Sequence, residues 1–234
     1  MSPKSQILIE GTYLYYQNDV NYCQEDFKVV QIIDNPVYYI HSEISSRVDS
    51  GEFLKIMVQY AMTNHFIPFF VQIEKSIGSQ YAVETFKFDQ HAQELQYVFK
   101  NSQITQEFKR NHSSKHYLTA PGFATAAMFT LSRKMDPTGR SAVTVVSSQN
   151  EWTYVGPPLE KIIYAEIKNR EMDDYKLNNT TLPAAHLRLY DSDSSHASSG
   201  EIPTDLYLSK HFAIPYQMVQ GNSKINIKNL KKHN

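Results

Sequence analysis

Apolar and polar side chains alternate along most of the chain, as they do in strands that have one face in a core. The pattern is clearest over 81–89, where Phe86 and Phe88 fall on one face and Thr85 and Lys87 on the other. Strands of this kind predict an antiparallel meander. The other predicted strands are 7–17, 27–33, 37–44, 69–77, 94–100, 141–147, 151–155, 159–168, 184–190, 202–208, 214–219 and 224–230.

The stretch 53–61 fits two kinds of secondary structure. Phe53, Ile56 and Tyr60 recur at helical spacing, yet the same stretch also fits an extended strand. We predict a strand, because strands flank the stretch on both sides.

The best helix in the sequence is predicted near 119–135. Thr119 supplies an N-cap, and Pro121 lies in the first turn. Arg133 and Lys134 stand near the end, where cations are favoured. Apolar side chains cover more than one stripe of this helix, so we expect the rest of the protein to enclose it.

Together these elements predict a mainly β fold. About a dozen antiparallel strands would form one large curved sheet, open or closed like a β-barrel, wrapped around one internal α-helix. No linker or repeat divides the chain, so we expect a single domain over 1–234. The polar stretches 169–181 and 191–200 are predicted to be solvated loops.

Composition narrows the functional classes. Lys and Arg number 23 against 24 Asp and Glu, and this net charge of -1 does not favour nucleic acid as a partner. The single cysteine, Cys23, excludes an intramolecular disulfide and a zinc site built on two or more thiolates. No run approaches the ~20 apolar residues of a transmembrane helix, and the first residues lack a signal-peptide pattern. We therefore expect a cytoplasmic protein.

Catalytic and cofactor motifs do not occur in the sequence. There is no Gly-x-Ser-x-Gly nucleophile motif and no glycine-rich phosphate loop. His112 and His116 have ligand spacing but lack the glutamate of a zinc-protease motif, so we predict a solvated loop there. We predict no enzyme activity, no cofactor and no metal.

The segment 203–218 begins as an acidic strand and leads through an aromatic residue to a return strand marked by Pro215. This segment, and the order meander, helix, meander, resemble the bacterial half-barrel lipid-binding proteins of the periplasmic lipoprotein carrier type and their uncharacterised relatives. In those proteins a wrapped antiparallel sheet holds an apolar ligand under a helical lid. The resemblance implies a bacterial protein with a lipid-binding interior.

The leading hypothesis is a non-enzymatic protein that holds an apolar or amphipathic, lipid-like ligand in a barrel-like cavity. Arginines within apolar segments would hold an acidic head group, and aromatic side chains would line the cavity mouth. The candidate ligand-binding residues are Arg47, Phe123, Ala127, Leu131, Trp152, Tyr154 and Arg188. The alternative is an interaction or adaptor module with a filled core, which binds a protein partner through the two predicted loops or an exposed strand edge.

Overall fold

The computed structural model describes residues 4–34, 37–112, 116–132, 138–169, 171–191, 202–209 and 214–233. Sixteen strands lie within these residues and belong to one sheet. They are β1 (Ser5–Gln17), β2 (Val20–Ile32), β3 (Val37–Arg47), β4 (Phe53–Met62), β5 (Pro68–Ile77), β6 (Gln80–Asp89), β7 (Glu94–Asn101), β8 (Thr105–Asn111), β9 (His116–Leu118), β10 (Arg140–Ser147), β11 (Leu159–Ile167), β12 (Asp173–Leu177), β13 (Thr180–Asp191), β14 (Thr204–Ser209), β15 (Pro215–Gln220) and β16 (Ser223–Lys232).

The sheet runs in the order β8-β7-β6-β5-β4-β3-β2-β1-β16-β15-β14-β13-β11-β10-β9, and β12 pairs with β13 beside this path. Neighbouring strands are antiparallel except β9 and β10, which are parallel. The first and last strands of the chain are therefore neighbours in the middle of the sheet. Hydrogen bonds among the described residues do not close the sheet into a barrel, because β8 and β9 lie at opposite ends of the path. The predicted large antiparallel sheet is confirmed.

Tight turns hold the hairpins in register. Asn18 and Asp19 connect β1 to β2 with φ of 49° and 62°, the left-handed pair that a two-residue type I′ turn requires. Asn is among the side chains that tolerate this conformation best. The polar pair Asn18-Asp19 therefore sets the pairing beside the turn, Gln17 with Val20, and β-bulges shift the register twice further along this hairpin.

The apolar face of the strands encloses the core. Tyr13 on β1 stacks on Phe27 of β2, with ring centroids 4.9 Å apart, and meets the edge of Phe123 at 4.9 Å. Phe123 belongs to the segment between β9 and β10, so this segment enters the interior. A smaller apolar cluster lies beside the main core and includes Tyr117, Phe129 and residues of β10 and β11.

The predicted helix near 119–135 is broken in the structure. The described part holds a 3-10 helix over Phe123–Thr125 and a four-residue helix, α1, over Phe129–Ser132, and 133–137 lie outside the described residues. The hydroxyls of Thr125 and Thr130 donate to the carbonyls of Gly122 and Ala127, and such local bonds compete with a continuous helix. The prediction of an enclosed apolar segment is nonetheless correct, since Phe123 and Ala127 are buried. We call residues 119–132 the inner segment.

Three local predictions can be compared with the structure. The ambiguous stretch 53–61 is a strand, as predicted. The predicted strand at 151–155 is wrong, because this stretch belongs to an irregular loop. The predicted loop at 169–181 is wrong as well, because it contains β12 and the start of β13, joined through Asn178 at φ 54°. Of the stretch 191–200, residues 192–200 lie outside the described part of the chain.

The ends of the sheet approach each other near β8. Arg110 and His112, at the end of β8, both contact the Glu160 carboxylate on β11, at 2.6 Å and 2.9 Å. Side chains thus bridge two strands that no backbone hydrogen bond joins within the described part of the chain. No helix in the described residues has the length and apolar character needed to cross a membrane.

Candidate binding site

A buried carboxylate holds the inner segment in place. Glu25 on β2 is completely buried, and its Oε2 accepts the backbone N–H of Phe123 at 2.7 Å while Oε1 accepts that of Ala124 at 3.2 Å. The hydroxyls of Tyr15 and Ser42 donate to the same carboxylate, each at 2.5 Å. Four donors from three parts of the chain therefore converge on one side chain.

These donors compensate for the removal of a carboxylate from water. Burial raises the pKa of Glu25, whereas the hydrogen bonds from Ser42, Tyr15 and the two backbone N–H groups lower it. The Tyr15 hydroxyl is affected by the same surroundings, and burial together with the nearby Glu25 raises its pKa. The arrangement fixes the inner segment against β2 and β3.

Gly122 allows the inner segment to approach this carboxylate. A Cβ placed on Gly122 would lie 2.9 Å from Oε1 of Glu25 and 3.0 Å from the hydroxyl of Ser42. Its φ of -76° and ψ of 134° are open to any residue, so the close approach and not the backbone conformation requires glycine.

A second buried carboxylate holds the loop 148–158 against the same interior. Glu84 on β6 accepts Lys75 Nζ and the Tyr97 hydroxyl, both at 2.7 Å, and Lys75 also donates to the backbone oxygen of Asn150. The side chain of Asn150 donates to the Tyr97 hydroxyl at 2.7 Å and accepts the N–H of Val155 at 2.6 Å. This network explains why 151–155 is not a strand: a side chain binds the backbone there.

Between the inner segment and the sheet lies an apolar pocket of about 180 Å³. We call it the inner pocket. Tyr60 of β4 lines it, and its hydroxyl is hydrogen-bonded to the backbone of Leu118. Ala126 is exposed at the pocket, whereas Met128 and Phe129 are buried. The remaining lining residues are Tyr117, Leu118, Thr119, Ala120, Thr125, Val145, Ile163 and Leu189.

The inner-segment candidates from the sequence lie close to this pocket. Phe123 and Ala127 are buried in the main core, and Leu131 packs against it half-exposed. Trp152 and Tyr154 lie on the loop 148–158, also half-exposed against the core. None of these five residues lines the inner pocket itself.

The two arginine candidates lie elsewhere. Arg47 is exposed at the end of β3, with its guanidinium 4.9 Å from the ring centre of Phe53. Arg188 on β13 forms a two-pronged ion pair with Asp205 of β14, at 2.9 Å and 3.0 Å. Leu189 lines the inner pocket, and adjacent strand residues face opposite sides, so Arg188 points away from the pocket.

The histidine pair is not a solvated loop. His112 and His116 are both buried, with ring centroids 4.1 Å apart, and the ring of His116 meets Phe88 at 4.3 Å. Burial lowers the pKa of His112, and the nearby Arg110 adds to this while Glu160 opposes it. The described residues contain no group of three His, Cys, Asp or Glu side chains arranged for a metal ion.

Sequence analysis missed the two carboxylates that organise the interior. Glu25 lies between Cys23 and Phe27 on the buried face of β2, a position that alternation alone assigns to the core. Glu84 occupies the same kind of position two residues before Phe86. A charged residue on the apolar face of a strand was therefore the available signal.

The fold and site define a β-barrel-like protein with a partly filled interior. No protein-family model and no curated protein matches the sequence. The chain is similar to the crystal structure of a β-barrel-like protein of the domain of unknown function DUF1849 from Brucella abortus. The TM-score is 0.56 at 6% identity, over 97% of this chain and 98% of that chain. It is also similar to a DUF1089 family protein from Pseudomonas aeruginosa, with a TM-score of 0.50 at 6% identity, over 83% of this chain and 88% of that chain. These likenesses show the fold alone.

Proposed function

We propose that the protein is a non-enzymatic binding protein that takes the apolar part of an amphipathic, lipid-like ligand into the inner pocket. The observation that carries this proposal is the apolar lining of the pocket between the inner segment and the sheet. The hydroxyl of Tyr60 is already bonded to Leu118, so the pocket selects for apolar surface.

Size limits what the pocket accepts. Its volume of about 180 Å³ is below the ~300–1,000 Å³ of typical sites for drug-sized ligands, but a dry cavity of ~150 Å³ is enough for one small apolar ring. The ligand therefore inserts one short apolar group, such as the end of an acyl chain. Because Ala126 is exposed, we expect the polar part of the ligand to stay near the inner segment at the surface.

The test uses neutral amphiphiles, so that charge plays no role. Titration calorimetry with 1-octanol, 1-decanol and 1-dodecanol is expected to show saturable binding with a negative heat-capacity change. Ala126→Trp should block the pocket without disturbing buried residues, whereas Ser102→Trp, at an exposed turn, should leave binding unchanged. Native mass spectrometry of gently purified protein, followed by extraction, would identify a bound natural ligand. If the folded protein binds none of the three alcohols, the proposal is wrong.

A second candidate function is that of an adaptor. It is favoured by the extent to which the inner segment fills the interior and by β8, which pairs with β7 on one side and ends the sheet path. An exposed strand edge can accept a strand from a partner protein. Hydrogen exchange of β8 amides in a complex with a purified partner tests this candidate, because pairing would slow the outward-facing amides. Unchanged exchange along β8 in such a complex would count against it.

A further inference from the structure

Strand β8 leaves one edge of the sheet open. It ends the sheet path and pairs only with β7 within the described part of the chain. Its seven residues contain no proline, and the pairing with β7 has no bulge. Two other described strands pair on one side only, but β9 is three buried residues long and β12 has five residues. The longest regular edge available to another strand is therefore that of β8.

The pairing with β7 determines which backbone groups of β8 point outward. The N–H of His112 donates to the carbonyl of Gln93 at 2.7 Å, and the N–H of Asn101 donates to the carbonyl of Ile104 at 3.0 Å. Hydrogen-bonded pairs alternate along an antiparallel ladder, so the even-numbered residues of β8 bond to β7 and the odd-numbered residues face away. All the outward-facing residues have exposed side chains. They are Thr105, Glu107, Lys109 and Asn111.

The sequence of β8 is self-complementary when a second copy of the strand runs antiparallel to it. If Phe108 of one copy lies opposite Phe108 of the other, the four outward-facing residues pair only with one another. Glu107 then lies opposite Lys109 of the second copy, and Thr105 lies opposite Asn111 of the second copy. Each pair exchanges two backbone hydrogen bonds, about eight in the whole contact. One two-fold symmetric register thus satisfies both the backbone and the charges.

Other registers lack this property. A two-fold axis at Glu107 would place two carboxylates opposite each other, and an axis at Lys109 would do the same with two ammonium groups. Like charges directly opposite destabilise a strand pair, whereas opposite charges stabilise it. An axis at Gln106 or Arg110 would shorten the paired stretch. Charge and length together select the register centred on Phe108.

The position of Lys109 favours a second copy over a strand of another sequence. A lysine on an edge strand usually discourages pairing with other strands. Here Lys109 contacts the Glu94 carboxylate on β7 at 3.6 Å, and Glu107 of the second copy would lie on its other side. A row of carboxylate, ammonium and carboxylate would therefore run from β7 across β8 into the second copy.

From the open edge and its self-complementary charges, we infer that β8 is a contact between two copies of this chain in solution, paired antiparallel about Phe108. The two sheets then form one continuous sheet. A single seven-residue strand buries less than the ~1,600 Å² of a standard interface, so the association is weak and increases with concentration. The contact goes beyond the proposed ligand binding and does not depend on the inner pocket. It also differs from the adaptor candidate, in which the added strand belongs to a different protein.

Sedimentation velocity of the full chain, from about 1 to about 500 µM, tests the contact by following the shift from monomer to dimer. Glu107→Lys and Lys109→Glu each place like charges opposite one another, so each change is expected to weaken association at least about tenfold. An equimolar mixture of the two variants should associate, because each supplies the charge that the other lacks. The double variant with both changes should associate like the unmodified chain.

The matched control is Lys87→Glu, which makes the same charge change at an exposed position on β6 and should leave association unchanged. Hydrogen exchange identifies the edge independently. The amides of Glu107 and Lys109 are expected to exchange more slowly as concentration rises, whereas the Phe108 amide, which already bonds to β7, should not change. Both charge variants alter exposed side chains, and circular dichroism checks that they remain folded.

Three results would overturn the inference. They are a monomer at every concentration, undiminished association of either single charge variant, and a mixture that associates no better than its components. If the chain stays monomeric and its outward β8 amides slow only in a complex with a different protein, the edge belongs to the adaptor candidate instead.

Discussion

The Glu25 carboxylate accepts the backbone N–H of Phe123 at 2.7 Å, although the two residues are 98 positions apart in the chain. The contact joins β2 to the inner segment at the point where that segment begins its first helical turn. A helix start leaves backbone N–H groups without partners, and here a distant strand supplies the acceptor. One ionisable side chain therefore supplies the acceptors for the start of this helical turn.

Replacing that carboxylate by an amide is expected to destabilise the fold. In Glu25→Gln one oxygen becomes an NH2 group, so the backbone N–H of Ala124 loses its acceptor, or that of Phe123 keeps only the longer bond to the Tyr15 hydroxyl at 3.2 Å. We expect a loss of about 1–3 kcal/mol in the free energy of unfolding, measured by urea denaturation. Glu107→Gln, at an exposed position on β8, serves as the control and should change stability little. Equal stability of the two variants would contradict the anchoring role of Glu25.

Two glycines provide a matched test of the close approach at the inner segment. Gly122→Ala places a methyl group 2.9 Å from Glu25 Oε1, so we expect a loss of about 1–3 kcal/mol in the free energy of unfolding. Gly156→Ala adds a methyl group that meets no atom of the described residues within 4 Å, and it is expected to be neutral, or stabilising by up to about 1 kcal/mol. Thermal unfolding of both variants checks this. If Gly122→Ala were more stable than Gly156→Ala, the space around Gly122 would have to be large enough for a methyl group.

Acid is expected to destabilise the fold through the buried His112. The pKa of His112 is lowered in the folded protein, mainly by burial, so the unfolded chain binds a proton more readily. Stability from this group is complete above the unfolded pKa of about 6.5 and is lost as pH falls from there through the folded value.

Urea denaturation between pH 7 and pH 5 measures the effect. The decrease in unfolding free energy should be smaller in His112→Gln than in the unmodified chain. His65→Gln, which replaces an exposed histidine, should retain the full decrease. A pH dependence that is identical in all three proteins would exclude His112 as its source.

The loop 148–158 contains Trp152, the only tryptophan in the chain, so its fluorescence reports on the loop directly. Asn150→Ala removes the acceptor of the Val155 N–H and the donor to the Tyr97 hydroxyl. We expect a red-shifted emission and a loss of about 1–3 kcal/mol in the free energy of unfolding. Gln149→Ala, at the exposed neighbouring position, should leave both quantities unchanged. Unshifted emission in Asn150→Ala would mean that other contacts hold the loop.

The alternation of apolar and polar residues predicted the fold, because it indicates which side of each strand is buried. Phe86 and Phe88 are buried as their positions in the sequence indicate, and all neighbouring strands except β9 and β10 are antiparallel. The inner segment was recognised by its apolar surface, but its helix was overestimated, because the hydroxyls of Thr125 and Thr130 bond to nearby backbone carbonyls in competition with a continuous helix.

The sites were harder to predict because they depend on residues far apart in the chain. The inner pocket combines β4, the inner segment, β10, β11 and β13. A register slip of one residue would move Tyr60 or Leu189 to the other face of the sheet. The sequence supplied the residue types at these sites, whereas strand pairing determined which of them meet.

The pairing of β1 with β16 has a consequence for biosynthesis. Ile9 lies opposite Lys232, so one side of β1 lacks its neighbour until almost the whole described chain has left the ribosome. Nascent chains grow at roughly 5–20 residues per second, so β1 remains without β16 as its neighbour for more than about ten seconds. During that interval β1 to β8 form an incomplete meander, and the unpaired edge of β1 can pair with a strand of another chain. Newly made chains should therefore be most prone to misassembly just before β16 emerges.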